Sequence, residues 1–161
     1  MQNRLSVDLD KKNDTLYTRY SVFNISDKLF GIEISYVREV LKNPIITKLP
    51  NVKSQVVGVF NLRGTILPLI DLRIMLGFEV GEKKISDMVL LLETDKTVSG
   101  VLVEQVLDFA NIEDIKIQLP SRNINAKIAN IIKGFYEKEG TAMIFLIDPE
   151  KFIKPKVLFQ F

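Results

Sequence analysis

Apolar positions recur along this chain chiefly with a period of two, in short runs broken by polar, Gly or Pro punctuation. Aromatic and β-branched residues crowd Tyr17 to Ile25, and Ser26-Asp27-Lys28 ends that run as a turn. Phe30, Ile32 and Ile34 then alternate with Gly31 and Glu33, which predicts a half-buried strand. Ser35 is placed to cap a short helical turn carrying Val37, Val40 and Leu41 on one side, closed by Asn43-Pro44. Ile45 to Leu49 reads as another strand, ended by Pro50. Downstream, residues 88 to 93 and 98 to 103 read as strands around a turn at Thr94 to Lys96.

The most informative run is Gly58 to Leu72. Two apolar strands reverse over a tight turn at Arg63-Gly64, and Asp71 is placed to cap a helix over Leu72 to Leu76 that Gly77 ends. Gly58 sits among Val57, Val59 and Leu62, where the missing side chain lets another backbone approach. Pro68 donates nothing to a ladder and marks an edge or a bulge. The turn presents the Arg63 guanidinium on a rigid hairpin, a planar donor fork suited to a carboxylate.

The pattern also repeats. Residues 99 to 109 lie over residues 30 to 40 without a gap, placing Gly100 on Gly31, Val106 on Val37, Asp108 on Glu39 and Phe109 on Val40. Residues 134 to 141 match 58 to 65, and Asp148 matches Asp71 as a cap, with Pro149 at a first helical position that tolerates it. Gly100 follows Gly31 by 69 positions and Gly134 follows Gly58 by 76, so the second copy carries an insertion of 7, most simply within Gln118 to Lys127. Each copy holds about five short strands, and closure into a small barrel removes the exposed sheet edges of so short a unit. The expected architecture is mainly β: a polar, frayed stretch over residues 1–15, then one domain over 16–161. Its first barrel lies mainly in 16–85 and its second mainly in 86–153, side by side over buried strand faces with a groove between them.

Composition narrows the chemistry. The 161 residues are 47% hydrophobic with 8 Gly and 6 Pro, the balance of a folded chain. A net charge of +2 is too small to advertise nucleic acid, although the pI is near 8.7. Cys and His are both absent, which removes disulfides, thiolates, the usual proton shuttle and the commonest metal ligand. No phosphate-cradling glycine motif occurs, and carboxylate pairs such as Glu33 and Glu39 are expected by chance among 20 acids. No cofactor, metal or catalytic activity is expected. The first residues hold no secretory apolar region and no window is long enough to span a bilayer, so the chain is expected in the cytoplasm, and the sequons at Asn13 and Asn24 carry no weight.

Two recognition readings remain. A nucleic-acid-binding barrel would use Tyr17, Tyr20 and Phe23 near Arg19, with Phe135 and Tyr136 near Lys133. A protein-binding surface would use apolar anchors with a polar rim. Val37, Val40, Glu39 and Arg63 fit the second reading, although the two valines also suit an ordinary core and the two charges a solvated surface.

At these residues the chain resembles the CheW family, the coupling proteins of bacterial chemotaxis. The likeness runs from about Tyr17 to Ile153. Its most specific part is Gly58-Val-Phe-Asn-Leu-Arg-Gly64 followed by Pro68-Leu-Ile-Asp-Leu72, supported by Phe30-Gly-Ile-Glu-Ile34, Val37-Arg-Glu-Val40, Gly100 to Val106 and Gly134 with Leu146-Ile-Asp148. The resemblance implies two interleaved five-stranded barrels of SH3- or OB-like build with a few short helices and no catalysis. It implies an adaptor bridging the cytoplasmic tip of methyl-accepting chemoreceptors to the regulatory domain of the histidine kinase CheA, recruited to membrane-associated arrays without inserting into the bilayer. Ile34, Val37, Val40 and Val106 would face the receptor's helical hairpin, while Glu39, Gly58 and Arg63 match positions used in signalling contacts. A CheW-like adaptor of another motility pathway is the nearest alternative. Two departures stand out: Glu104 occupies a position where many members have Asp, and the closing helix is cut short at Pro155 before an apolar tail, Lys156 to Phe161.

Overall fold

Two β-sheets dominate the computed structural model, which describes residues 15–80, 88–138, 140 and 142–155. The expectations for the polar N-terminal stretch, apart from Thr15, and for the tail after Pro155 lie outside those residues. The first sheet orders its five strands as β10 (Ile132–Glu137), β11 (Met143–Ile147), β2 (Lys28–Glu33), β1 (Tyr17–Ile25) and β9 (Gln105–Glu113). The second orders six strands as β3 (Val37–Lys42), β7 (Met88–Glu93), β8 (Val98–Val103), β6 (Thr65–Asp71), β5 (Val56–Leu62) and β4 (Ile46–Thr47). Among the described residues the paired ladders close neither sheet into a complete barrel, yet each sheet wraps its own apolar cluster.

Each sheet draws strands from both halves of the chain. The β1–β2 hairpin pairs with β9 on one side and with β11 on the other, while β7–β8 pairs with β3 and with β6. Those exchanges use the two parallel ladders, Leu146↔Gly31 and Leu69↔Gly100. The glycines that the repeat equates, Gly31 and Gly100, therefore hold equivalent ladder positions in the two sheets. Even the irregularities match. A bulge between Val37 and Glu39 on β3 faces Leu92 and Leu91, and its counterpart sets Phe23 opposite Val106 and Ser21 opposite Phe109. Gly58 and Gly134 both sit at a register shift in their hairpins.

The close backbone approach expected at Gly58 is present: a Cβ there would lie 2.4 Å from the Thr47 carbonyl oxygen. At Gly134 the corresponding distance is 2.7 Å, to the Gln118 carbonyl oxygen, where Gln118 bridges Phe135 as Thr47 pairs with Val59. Sixteen positions separate Gln118 from Gly134 against eleven from Thr47 to Gly58, so most of the inserted length falls there, as expected, and it holds the short helix α2 (Ala126–Ala129). Gly58→Ala is expected to push β4 off β5 and to lower stability by about 1–3 kcal/mol. A urea midpoint equal to that of the parent protein would contradict this geometry.

Three cores follow from strands that are apolar on both faces. Val89 and Leu91 of β7 turn toward Phe60, Leu67, Leu69 and Leu102 inside the second sheet. Tyr20, Val22, Ile112, Ile144 and Leu146 fill the first. The largest cluster lies between the sheets: Phe23, Phe30 and Ile32 from one, Ile70, Leu90, Leu92 and Val101 from the other, with Phe152. Phe30 stacks on Phe23 at 6.1 Å between centroids. This shared core is the buried contact expected between two lobes.

Helix α1 (Leu72–Leu76) has the predicted bounds, with the Asp71 carboxylate accepting from the Arg73 amide and Gly77 left-handed at φ 77°. Other local expectations are corrected. Residues 37–42 form a strand rather than a helical turn; only Ile34–Tyr36 make one 3-10 turn, and Ser35 lies inside it without capping. The valines at 37 and 40 favour extended backbone once β7 is available to pair. Pro68 lies on an interior strand rather than an edge, next to the register shift at Gly58 and just before the parallel ladder with β8 begins at Leu69, and its carbonyl accepts from the Ser99 hydroxyl. The β2 strand is buried on both faces, since Gly31 packs under Leu146 and Ile144. The strand expected over Ile45 to Leu49 pairs only at Ile46–Thr47.

Candidate functional site

The hairpin turn builds the polar half of the site. Arg63 and Gly64 both have positive φ, 50° and 88°, which suits a two-residue turn between right-twisted strands, and Asn61 Oδ1 accepts from the Gly64 amide. The turn aims the guanidinium at β3. Arg63 Nη1 donates to Glu39 Oε1 at 2.7 Å and Nη2 to Oε2 at 3.1 Å, a two-pronged pair joining residues 24 apart. The carboxylate facing the Arg63 donor fork is that of Glu39. Hydrogen bonding to Arg63 holds the Glu39 carboxyl below its ordinary pKa and raises that of the guanidinium. A lowered carboxyl pKa keeps Glu39 charged at neutral pH; the contact is lost only as acid passes that lowered value. The pair is solvent-facing, with the Arg63 side chain 74% exposed, so its value is geometric more than energetic. Beside it, Leu62, Leu67 and Val98 floor a shallow depression rimmed by Arg38, Arg63 and Thr65.

The apolar half follows from the β3 bulge. Val37 pairs with Leu92 and Val40 with Leu90, both on the face of the shared core, whereas Glu39 pairs with Leu91 on the opposite face. The extra residue keeps two valines three positions apart on one side of a strand, the outcome the helical reading sought by other means. Val37 packs half-buried against the shared core, as does its repeat mate Val106 opposite Phe23. Ile34 and Val40 remain 37% and 43% exposed. Val37 and Val106 therefore mark the seam between the lobes, with Ile34 on the adjoining 3-10 turn and Val40 one pleat farther along β3. Gly58 stands apart: it is buried in β5 under Thr47 and offers the surface no atoms, so it positions β4.

Several exposed apolar residues were not singled out by sequence, three of them near the site or matched to it by the repeat. Ile45, 89% exposed, precedes β4, and Ile66, 60% exposed, lies opposite Asn61 on the Arg63 hairpin. Phe109 is half exposed, with the Arg19 guanidinium 4.6 Å from its ring centroid. An isoleucine paired with a polar Asn next to a turn is a legible signal for Ile66; Ile45 had none. Of the aromatics weighed for nucleic-acid stacking, Tyr20 and Phe23 are fully buried, Phe135 and Tyr136 are half-buried and Tyr17 is exposed, while Lys133 is ion-paired to Glu33. Glu104 accepts from the Ser26 amide at 2.9 Å and its own amide donates to Asn24, tying the β8–β9 link to the β1–β2 turn. Among the described residues no helix is long and apolar enough to cross a membrane.

A family model described as a CheW-like domain matches residues 19–156. Over 127 residues the chain is 32% identical to the chemotaxis protein CheW of Rhizobium meliloti, covering 78% of this chain and 81% of that protein. It is 31% identical over 125 residues to Protein PilI of Pseudomonas aeruginosa, covering 76% and 69%. Among solved structures, the scaffolding protein TtCheW from Thermoanaerobacter tengcongensis superposes with a TM-score of 0.74 at 27% identity, over 86% of this chain and 94% of that one.

Proposed function

From the premise that this chain belongs to the CheW-like domain family, we propose that it is a non-enzymatic adaptor that couples chemoreceptors to the histidine kinase CheA. The observation that carries this reading is the β3 bulge, which turns Val37 and Val40 to the inter-lobe seam and Glu39 to the Arg63 hairpin. One strand thereby serves two surfaces. The seam, with Ile34, Val37, Val40 and Val106, receives the apolar stripe of a receptor's helical tip, a helix lying in a groove. The hairpin side, with Glu39, Arg63 and the exposed Ile66, receives the kinase's regulatory domain. Work is then limited to binding: a receptor that shifts β3 changes the free energy of two kinase states by different amounts, which is what coupling requires. Recruitment to receptor arrays places the protein at the cytoplasmic side of the membrane without insertion.

Reconstitution of receptor signalling domain, kinase and adaptor tests the reading. Arg63→Ala and Glu39→Ala are each expected to leave the melting temperature nearly unchanged, because the pair is exposed. Each is expected to reduce receptor-dependent kinase control roughly tenfold, the middle of the range for coupling between sites. Undiminished control in both variants refutes the assignment of that pair. Capture of partners from lysate separates chemotaxis from another CheW-like pathway, by which receptor and kinase accompany the protein.

A further inference from the structure

The repeat generates a second feature, a shallow and open cavity of about 390 Å³ that the adaptor reading leaves unused. Its walls are matched in pairs by the duplication: Ser54 with Asn130, Gln55 with Ile131, and Ile74 with Lys151. The same equivalence appears in the backbone, where the Asp71 amide donates to the Gln55 carbonyl and the Asp148 amide to the Ile131 carbonyl, each at 2.9 Å. The cavity therefore straddles the pseudo-twofold relation between the two copies, against the α1 and α2 helices. Met75 and Ile74 supply its apolar surface together with Ile131.

Two lysines break the symmetry. Lys151 stands where the first copy has Ile74, and Lys127 comes from the inserted helix α2, which has no counterpart. Both are held. Lys151 Nζ donates to the Ile132 carbonyl at 2.7 Å, which fixes the ammonium and leaves two protons for another acceptor. The Lys127 stem crosses Gly77 so closely that a Cβ there would lie 2.9 Å from its Cδ. Among the described residues no acid lines the cavity. One fixed ammonium and one exposed ammonium beside an aliphatic floor, with amide and hydroxyl groups from Gln55, Asn130 and Ser54, select a ligand with an anionic head and a short apolar body.

We propose that this cavity binds a small amphiphilic organic anion, with Lys127 and Lys151 taking the carboxylate or phosphate head and Ile74, Met75 and Ile131 its hydrocarbon part. The test is titration of the full chain, followed by amide chemical shifts, with hexanoate, hexyl phosphate, hexanol and inorganic phosphate. Saturable shifts at Gln55, Met75, Asn130 and Lys151 with hexanoate or hexyl phosphate are expected, and the tighter of the two identifies the head group. Lys151→Met and Lys127→Met should each weaken that binding about tenfold or more, the loss of one charge-assisted contact. Using both keeps the result readable if Lys151→Met loosens the contact of its 3-10 turn with β10. Three outcomes overturn the proposal: no saturable shift with either anion, hexanol or inorganic phosphate binding as well as the amphiphile, or unchanged affinity in both lysine variants.

Discussion

Asp71→Ala is expected to lower the free energy of unfolding by about 3–5 kcal/mol. Asp71 and Arg73 are both buried, and the carboxylate accepts from Arg73 three ways: the amide at 3.0 Å, Nε at 3.1 Å and Nη2 at 2.8 Å. It caps α1 and neutralises a guanidinium that has almost no water of its own. Truncating the acid leaves that charge buried and unpaired while also removing the cap. The pair adds little over an apolar replacement of both partners, because its attraction is offset by the desolvation of two ions. The double variant Asp71→Ala/Arg73→Met should therefore recover most of the loss. Urea unfolding monitored by circular dichroism measures both; a single variant within about 1 kcal/mol of the parent would show that Arg73 finds another partner or reaches solvent.

Val40→Asp is expected to weaken binding to a receptor signalling tip by about 2 kcal/mol or more, roughly thirtyfold, with the melting temperature hardly moved. Val40 is on the seam face of β3 but is 43% exposed and outside the buried clusters, so a carboxylate there stays solvated in the free protein. It loses that solvent only when an apolar helix covers it. Val37→Asp makes the contrast: Val37 packs against the shared core, so its charge is expected to cost stability before any partner arrives. Equal receptor affinity for Val40→Asp and the parent, measured by titration, would remove β3 from the receptor surface. The two variants together separate packing from recognition, which the paired spacing of the valines alone leaves merged.

The cases where sequence and structure part have one cause. At Val37 to Lys42 the spacing of apolar residues fitted a helical turn, but a strand with a bulge places the same side chains on one side and gains a ladder with β7. Pro68 carried the mark of an edge or a bulge and lies inside a sheet beside the register shift at Gly58, because the β8 pairing starts one residue later, where an amide is available. In the first lobe, Tyr20, Glu33 and Lys133 occupy the positions that Val89, Leu102 and Val57 hold in the second, and Lys133 stacks 4.9 Å from the Tyr20 ring while pairing with Glu33. Nothing local to any of the three predicts that they meet.

What the chain determined by itself is everything carried by neighbours in sequence: the turn at Arg63-Gly64, the cap and stop of α1, the glycine at 58 that admits a backbone, the duplication and the position of its insertion. These depend on φ preferences, local hydrogen bonds and side-chain size, all of which act over a few residues. What tertiary structure decided is which copy each strand joins, the meeting of Glu39 with Arg63, and the sharing of β3 between seam and hairpin. Those contacts join residues tens of positions apart. Strands apolar on both faces can pair with several partners, and the choice falls to the arrangement that buries all three cores at once.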